Sequence, residues 1–327
     1  MTSIVRVGVV SATGTGRKRT LPALLGSDTC KVTAIHARDQ VKIRELGKDF
    51  HIPHVYTDLG KMISEGQFDL AVVCSPPFLH KEQVEILLSA GVPTLCEKPL
   101  ALNEKDALAI QETAERSGTP VAVAHQLRHQ STYADIKATL AAGEIGEIDG
   151  ATMGWNYLLD RADPRAAWKL NPALNGPTCL TDAGVHCVDI AIGLFGPGTL
   201  WGAWAPGRRD GSVIETCELL TVHSGVRVTY EVSRQQRALL NDLVVNGSKG
   251  QIVARGFFTE SSAPRVTITV GDDERTVKRK AGNPYRQVVE DFATALSEPD
   301  FVSPGTTLAE AVTACRMIDE AQAALEV

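Results

Sequence analysis

Two short segments combine side chains suited to moving a proton. In the first, Lys98 follows Glu97 at the end of an apolar run, where its ammonium could donate to a substrate oxygen. In the second, Asp182 and His186 are four residues apart and share one face if the segment is helical. Because a histidine titrates near neutral pH, His186 is a candidate general acid or base, and the carboxylate could orient its ring or hold a hydroxyl. Lys98, Asp182 and His186 are the predicted catalytic residues.

The same residues allow other interpretations at the level of sequence. Asp182, His186 and Asp189 could ligate a metal, but their spacing lacks the paired histidines of a zinc-binding helix, so no metal is predicted. A hydrogen-bonded core histidine and an exposed ion pair between Glu97 and Lys98 are the structural alternatives.

A glycine-containing loop follows the first predicted strand and opens a helix, which is where dinucleotide-binding proteins bind pyrophosphate. Against the pattern G-x-G-x-x-G, only Gly16 is in register, and Ser11 and Thr13 replace the first two glycines. Gly14 restores flexibility. The predicted cofactor-binding residues of the loop are Ser11, Thr13, Gly14, Thr15 and Gly16. The alternative is a tight strand-to-helix turn without a phosphate.

The end of the second predicted strand bears on which dinucleotide is bound. NAD-binding proteins carry an acidic residue that binds the adenine ribose at the position that Ala37 occupies here. Arg38 follows this position. Since a guanidinium there could pair with a 2′-phosphate, NADP is the preferred prediction and NAD the second. Two alternatives remain: Asp39 takes the role of the acid, or Arg38 is a solvated surface charge.

The elements that must position these residues change in type near Ala124. Before it, helical patterns alternate with β-branched runs at 5–10, 31–36, 69–75, 94–96 and 120–124, and Asn103 is the expected N-cap of the last helical pattern, 104–116. After it, many strand-like runs are separated by Gly, Asn or Asp, and two helical segments close the chain. The predicted fold is α/β, with a Rossmann-like doubly wound parallel sheet over 1–124 and an α+β domain with an open, mostly antiparallel sheet over 125–327. A C-terminal helix is expected to pack back on the first domain.

Length, charge and cysteine content limit the class of partner. A chain of 327 residues favours two domains, and a net charge of −6 provides no basic field for nucleic acid. The seven scattered cysteines contain no C-x-x-C pair, which favours a reducing cytoplasm over a disulfide framework. No secretory signal or bilayer span is predicted, so we expect a small-molecule partner and no membrane.

Three longer segments carry a resemblance to a known family. They are VRVGVVSATGTGRKRTLPALL, CSPPFLHKEQVEILLSAGVPTLCEKPLALN and TDAGVHCVDIAIGLFG. In order and spacing they resemble the glucose–fructose oxidoreductase, inositol dehydrogenase and rhizopine-catabolism (Gfo/Idh/MocA) family, over almost the entire chain. The glycine loop departs from the family's usual pattern.

The resemblance implies an NAD(P)-dependent oxidoreductase that transfers a hydride between nicotinamide and a hydroxyl or keto carbon. The substrate would be a sugar, an inositol or a related cyclic polyol, free or nucleotide-linked. Lys98 would contact substrate and cofactor, and Asp182 and His186 would lie opposite the nicotinamide. The exposed sheet face would form a homodimer or homotetramer. Further residues implied to line the cofactor cleft are Ser75, Pro76, His80 and Glu97.

Polar and aromatic residues suited to sugar hydroxyls cluster in the second domain. The predicted substrate residues are Arg128, Trp155, Asn156, Asp160, Arg161 and Trp168. Two other functions are compatible with the fold: a non-catalytic sugar- or nucleotide-sensing protein, and a redox-assisted hydrolase or isomerase without net oxidation. The presence of Lys98, Asp182 and His186 together favours the enzyme, because a sensor needs no group that moves a proton.

Overall fold

The chain divides into two compact units. The structure is a computed structural model that describes residues 4–206, 213–236, 241–259, 264–279 and 282–325. One unit contains Met1–Gln126 and Asn283–Val312, and the other contains Leu127–Gly282 and Thr313–Val327. The chain returns to the first unit at Asn283, near the C-terminal part where a helix was expected to pack back on the first domain.

The first unit is built on a six-stranded parallel sheet. Its strands are β1 (Val5–Val10), β2 (Cys30–His36), β3 (His54–Tyr56), β4 (Leu70–Val73), β5 (Thr94–Glu97) and β6 (Val121–Ala124). They are arranged in the order β3-β2-β1-β4-β5-β6, with every neighbouring pair parallel. The order reverses between β1 and β4, and ligands of such sheets bind outside the carboxyl ends of the strands at this point. The predicted Rossmann-like sheet is confirmed.

Helices connect these strands, and short polar side chains begin three of them. They are α1 (Leu21–Leu24), α2 (Gln40–Asp49), α3 (Leu59–Glu65), α4 (His80–Ser89) and α5 (Glu104–Ser117). Asp39, Asp58 and Asn103 accept hydrogen bonds from backbone N–H groups in the first turns of α2, α3 and α5. The cap expected at Asn103 is confirmed. Gly118, with φ 65°, ends α5 in the left-handed region.

The second unit is built on an eight-stranded sheet. Its first elements are α6 (Ser131–Ala141), β7 (Ile148–Asn156), α7 (Pro172–Asn175) and α8 (Val185–Phe195). The remaining strands are β8 (Gly198–Trp204), β9 (Thr216–His223), β10 (Val226–Ser233), β11 (Leu243–Gly247), β12 (Gly250–Arg255), β13 (Arg265–Val270) and β14 (Asp273–Val277). The strand order is β14-β13-β12-β11-β7-β10-β9-β8, and only the pair of β7 and β10 is parallel among the described residues. The prediction of a mostly antiparallel sheet is confirmed.

The two closing helices contribute to different cores. They are α9 (Pro284–Ala295) and α10 (Leu308–Ala324). Val288, Val289 and Phe292 of α9 are buried in the core of the first unit, whereas Met317 and Ile318 of α10 belong to that of the second. No helix in the described ranges has the length and hydropathy needed to cross a bilayer.

Candidate active site

The loop after β1 makes a left-handed turn and then a wide helical segment. Ser11 adopts φ 58° and ψ 44°, a conformation that a glycine adopts at lower cost. Its Oγ accepts a hydrogen bond from Nε2 of Gln83 at 3.2 Å. The π-helical segment Ala12–Thr20 follows directly. Ser11 therefore makes the tight turn for which the dinucleotide-binding pattern uses its first glycine.

The two glycines of this loop serve different purposes. A Cβ on Gly16 would lie 3.2 Å from Cγ1 of Val9 and 3.5 Å from Cβ of Cys74, so Gly16 lets the loop pack against the sheet. A Cβ on Gly14 would have no atom within 4 Å, which leaves the backbone there open to a ligand. Thr13 and Thr15 are half-buried on either side of Gly14. A loop that is open on one side fits a bound pyrophosphate.

Arg38 lies exposed just beyond β2 and forms no ion pair within the described part of the chain. The neighbouring Asp39 accepts hydrogen bonds from the backbone of Val41 at 3.1 Å and of Lys42 at 3.0 Å. These bonds, together with the Lys42 ammonium, lower the pKa of Asp39. Because its carboxylate already caps α2, Asp39 is poorly placed to replace the missing ribose-binding acid.

His80 joins the loops that follow β4 and β5. Its Nδ1 lies 2.7 Å from the carbonyl oxygen of Pro99, and its Nε2 lies 2.9 Å from that of Ser75. The ring is fully buried, and this burial lowers its pKa. The ring thus holds the two loops together from inside, and its place in the cofactor cleft stays a prediction.

Lys98 follows directly on the end of β5. The peptide between Lys98 and Pro99 is cis, and Lys98 is half-buried. Glu97 is buried, its Oε2 accepts from the backbone N–H of Lys98 at 3.3 Å, and burial raises the pKa of its carboxyl. The Glu97 carboxyl is thus buried, whereas the structural alternative in the sequence was an exposed pair with Lys98.

Ser75 and Pro76 follow the end of β4, at the edge where the strand order reverses. Ser75 is buried, and its Oγ has no hydrogen-bond partner among the described residues. Pro76 is half-buried beside it. A buried hydroxyl without a partner costs free energy that a bound polar ligand recovers. Together with the open backbone at Gly14, this hydroxyl fits a dinucleotide bound at this edge.

In the second unit, Asp182 accepts two hydrogen bonds on one carboxylate oxygen. It lies in the π-helical turn Leu180–Gly184 before α8. Oη of Tyr157 donates to Oδ2 at 2.6 Å, and Nζ of Lys169 donates to the same oxygen at 2.8 Å. Burial and the charge of Asp182 raise the pKa of Tyr157, so the phenol remains the donor. The Asp182 side chain keeps 10% exposure, which leaves it reachable by a small molecule.

His186 stacks on Trp155. Their ring centroids are 4.1 Å apart with an interplanar angle of 17°. His186 lies in the first turn of α8, which is buried from Val185 to Ile192, and Trp155 lies near the end of β7. Parallel stacking on a large ring restricts the plane of the imidazole. Trp155, predicted to contact substrate, therefore contacts the predicted acid–base residue.

Arg128 is committed to a buried ion pair with Asp189. Nε of Arg128 donates to Oδ2 of Asp189 at 3.0 Å, and Nη2 lies 2.9 Å from Oδ1. Nη2 also donates to the backbone carbonyl oxygen of Asp189 at 2.7 Å. The two side chains are only 3% and 2% exposed. This pairing engages the guanidinium that was predicted to contact substrate, and it occupies the carboxylate considered as a metal ligand. Within the described ranges, no three His, Cys, Asp or Glu residues are grouped as in a metal site.

The other predicted substrate residues do not form one cluster. Asn156 is fully buried and, as the strand neighbour of Trp155, faces the opposite side of β7, so the structure does not bring the two side chains together. Oδ1 of Asp160 accepts from the backbone of Ala162 at 3.0 Å in an exposed turn. Arg161 is exposed and forms an ion pair with a buried glutamate, Glu215.

Sequence reasoning missed Tyr157 and Lys169, which follow Asn156 and Trp168 in the chain. Because alternate residues of a strand share a face, Trp155 pointed to Tyr157 two residues later. No such signal existed for Lys169, which lies one residue before the end of the irregular 3-10 segment Pro164–Leu170. Its ammonium lies 5.9 Å from the centre of the Trp168 ring, which keeps Trp168 beside the cluster.

A unit that fits a dinucleotide, joined to a unit that carries acid–base groups, defines the class of nicotinamide-dependent oxidoreductases. Comparison with known proteins narrows the class to one family. Residues 5–125 match the family model described as an oxidoreductase family with an NAD-binding Rossmann fold, and residues 133–253 match the GFO/IDH/MocA C-terminal domain. The chain belongs to the GFO/IDH/MocA family, and the resemblance inferred from the three sequence segments is confirmed.

Named relatives and solved structures extend the comparison. The chain is 31% identical over 272 residues to a D-apiose dehydrogenase of Paraburkholderia graminis, covering 75% of this chain and 70% of the relative. It is 25% identical to scyllo-inositol 2-dehydrogenase (NADP(+)) of Bacillus subtilis, over 89% and 88% of the two chains. A 3-ketoreductase from Actinomadura kijaniata, in complex with NADP and TDP-benzene, superposes with a TM-score of 0.86 at 23% identity and 98% coverage of both chains. This last likeness concerns the fold.

Proposed function

We propose that this protein is an NADP-preferring dehydrogenase or reductase that acts on a hydroxyl or keto carbon of a sugar, inositol or related cyclic polyol. The observation that carries the proposal is the pair of Asp182 and His186. Asp182 has a partly exposed carboxylate that accepts hydrogen bonds from Tyr157 and Lys169. The imidazole of His186 is stacked on the Trp155 ring. A carboxylate of this kind binds a hydroxyl, and an imidazole exchanges its proton. The names of the relatives, which include D-apiose, scyllo-inositol and D-xylose dehydrogenases, support this substrate class.

The residues divide the work between binding and chemistry. When bound, the nicotinamide accepts or supplies the hydride. The backbone of residues 11–16 holds the pyrophosphate, and Arg38 pairs with the 2′-phosphate. Lys98 donates to the substrate oxygen and stabilises the charge that develops on it. His186 takes the proton of that oxygen during oxidation and returns it during reduction, while Asp182 accepts a hydrogen bond from a substrate hydroxyl.

The direct test is a cofactor assay with D-apiose, D-xylose, scyllo-inositol and myo-inositol. We expect net NADPH formation with at least one of them. Product without a net change of cofactor would indicate the redox-assisted hydrolase or isomerase, and binding without product would indicate the sensor. Either result would overturn the proposal.

Substitutions then test the assigned roles. His186→Ala should lower kcat by about 10²–10⁴-fold and leave NADPH affinity unchanged, as expected for a residue that transfers a proton. Lys98→Ala should impair both kcat and substrate binding, and the two effects should be less than additive in the double variant because both residues serve one oxygen. His54→Ala, which alters a histidine in the short strand β3, is the control.

We further propose a homodimer or homotetramer that uses the outer face of the second sheet. One row of paired positions crosses all eight strands without a charged residue: Gly202, Leu220, Thr229, Thr152, Val244, Val253, Thr267 and Thr276. The alternate positions, such as Val228 and Ile252, are buried in the core, so the row faces outward. On the edge strand β8, Trp201 and Trp204 are 70% and 53% exposed. An uncharged row across the sheet, with exposed tryptophans on the edge strand, is suited to contact with a second copy of the chain.

The cysteines support a proposed location in the reducing cytoplasm. All seven are free thiols and buried. The sulfurs of Cys179 and Cys217 are 3.6 Å apart without a covalent bond between them. Free, closely spaced thiols persist where disulfides are kept reduced.

A further inference from the structure

Lys169 is anchored through its backbone by two buried side chains. Its carbonyl oxygen accepts a hydrogen bond from Nη1 of Arg234 at 2.9 Å and from Nδ2 of Asn175 at 3.3 Å. Arg234 lies after the end of β10, and Asn175 ends α7. Both side chains are buried, so neither can turn away towards solvent. The backbone position of Lys169 is therefore fixed by the core of the second unit.

The ammonium of Lys169 is fixed as well. Its Nζ donates to Oδ2 of Asp182 at 2.8 Å and to Oη of Tyr157 at 3.3 Å. The same Nζ lies 5.3 Å from the centre of the Tyr157 ring and 5.9 Å from that of Trp168, within the range of cation–π attraction. Fixing a lysine side chain costs conformational entropy because several rotatable bonds are restricted. Here that cost is offset by four contacts of the same nitrogen.

Both donors reach the same oxygen of Asp182, which determines how the carboxylate can turn. Tyr157 and Lys169 approach Oδ2 from β7 and from the segment before α7. Two charge-assisted bonds at one oxygen hold the plane of the carboxylate. Lys169 is thus a cation in direct contact with the Asp182 carboxylate.

We propose that Lys169 is a positioning residue, which together with Tyr157 orients Asp182 so that the carboxylate accepts a hydrogen bond from a hydroxyl of the polyol substrate. The inference rests on the proposed function for its substrate. Lys169 itself need not touch the substrate, because it acts through the carboxylate. It follows that loss of the ammonium weakens recognition of the polyol and leaves the dinucleotide-binding unit unaffected.

Kinetics of matched variants test this role. In Lys169→Met, which keeps the length and removes the charge, we expect kcat/KM for the polyol to fall about 10–100-fold, mostly through KM, as for loss of one charge-assisted hydrogen bond. The Kd for NADPH should equal that of the wild type, and the Tm should fall by only a few degrees because Lys169 is partly exposed. Lys169→Arg should recover kcat/KM to within a few fold, and Lys137→Met, at an exposed position of α6, should have no effect. An unchanged kcat/KM in Lys169→Met, or a parallel loss of Tm and NADPH affinity that Arg does not restore, would overturn the proposal.

A second readout separates this inference from the proposed function. The carboxyl carbon of Asp182 can be observed by NMR in protein labelled with ¹³Cγ-aspartate, and its signal is identified by its absence in Asp182→Asn. We expect this resonance to move in Lys169→Met and to stay in place in Lys137→Met. A resonance that moves in a protein inactive towards every polyol would support the contact and refute the substrate class. A resonance that does not move would refute the contact itself, whatever the activity.

Discussion

The buried pair of Arg128 and Asp189 predicts a large loss of stability when one charge is removed. The carboxylate faces the guanidinium through both of its oxygens, at 3.0 and 2.9 Å, and the side chains are 3% and 2% exposed. Asp189→Asn keeps the shape and removes the negative charge that faces the guanidinium in a region shielded from water. Removal of one partner of such a pair costs about 3–5 kcal/mol of the free energy of unfolding.

The double variant separates the cost of an unpaired charge from the value of the pair. In Arg128→Met with Asp189→Leu, no charge remains to be desolvated, so the double variant should be more stable than either single variant. The exposed pair of Arg17 and Asp49, with 52% exposure on each side, gives the matched control. Asp49→Asn should cost less than about 1 kcal/mol because solvent screens the pair.

Urea unfolding followed by far-UV circular dichroism measures all of these variants. Equal, small losses for Asp189→Asn and Asp49→Asn would refute the reasoning. That result would remove the structural role given to Arg128 and return it to the candidates for substrate binding.

Three further predictions concern the cofactor, pH and assembly. Arg38→Ala should raise the Kd for NADPH by about 10–100-fold without changing that for NADH, and equal affinities of the wild type for the two cofactors would contradict the preference. Burial and a hydrogen bond to a neighbouring carboxylate raise the pKa of Tyr56 to about 12, so its contribution to stability is complete below the unfolded pKa of about 10 and is lost as pH rises towards 12. Tyr56→Phe should lose less stability than the wild type in urea titrations at pH 9–12, while Tyr157, whose pKa is also raised, still contributes a loss. A loss equal to that of the wild type would exclude the Tyr56 phenol as a source. Leu220→Lys, in the middle of the uncharged row, should reduce the assembly to monomers in light scattering, whereas a wild type of only 35.0 kDa would contradict the interface.

The fold could be predicted well because the sequence features that indicate its helices and strands lie within a few residues of one another. The β-branched runs, the cap at Asn103 and the packing glycine at Gly16 each depend on neighbours in sequence. The strand β3, with three residues, is too short for such a pattern. The residue types of Lys98, Asp182 and His186 were recognisable for the same local reason.

The partners of those residues were harder to predict because they come from distant parts of the chain. His80 braces the carbonyl of Pro99, 19 residues away, and Lys169 reaches Asp182 across an irregular segment. Arg128 and Asp189 are 61 residues apart, and a sugar-binding arginine and a buried one look alike in sequence. The type of a residue indicates which chemistry its side chain can do, whereas tertiary packing decides which other residue the side chain contacts.

The contribution of α9 to the first core has a consequence for synthesis of the chain. β6, the last strand of the first sheet, ends at Ala124, but Phe292, which is fully buried in the same core, is made much later. At about 5–20 residues per second, the roughly 170 intervening residues take on the order of 10–30 s to add. During that interval the apolar surface that α9 covers in the folded protein is exposed to solvent. An apolar helix of another nascent chain can bind to it. Ribosome pausing or chaperone supply within this stretch should therefore affect the yield of folded protein more than the same disturbance within the first 124 residues.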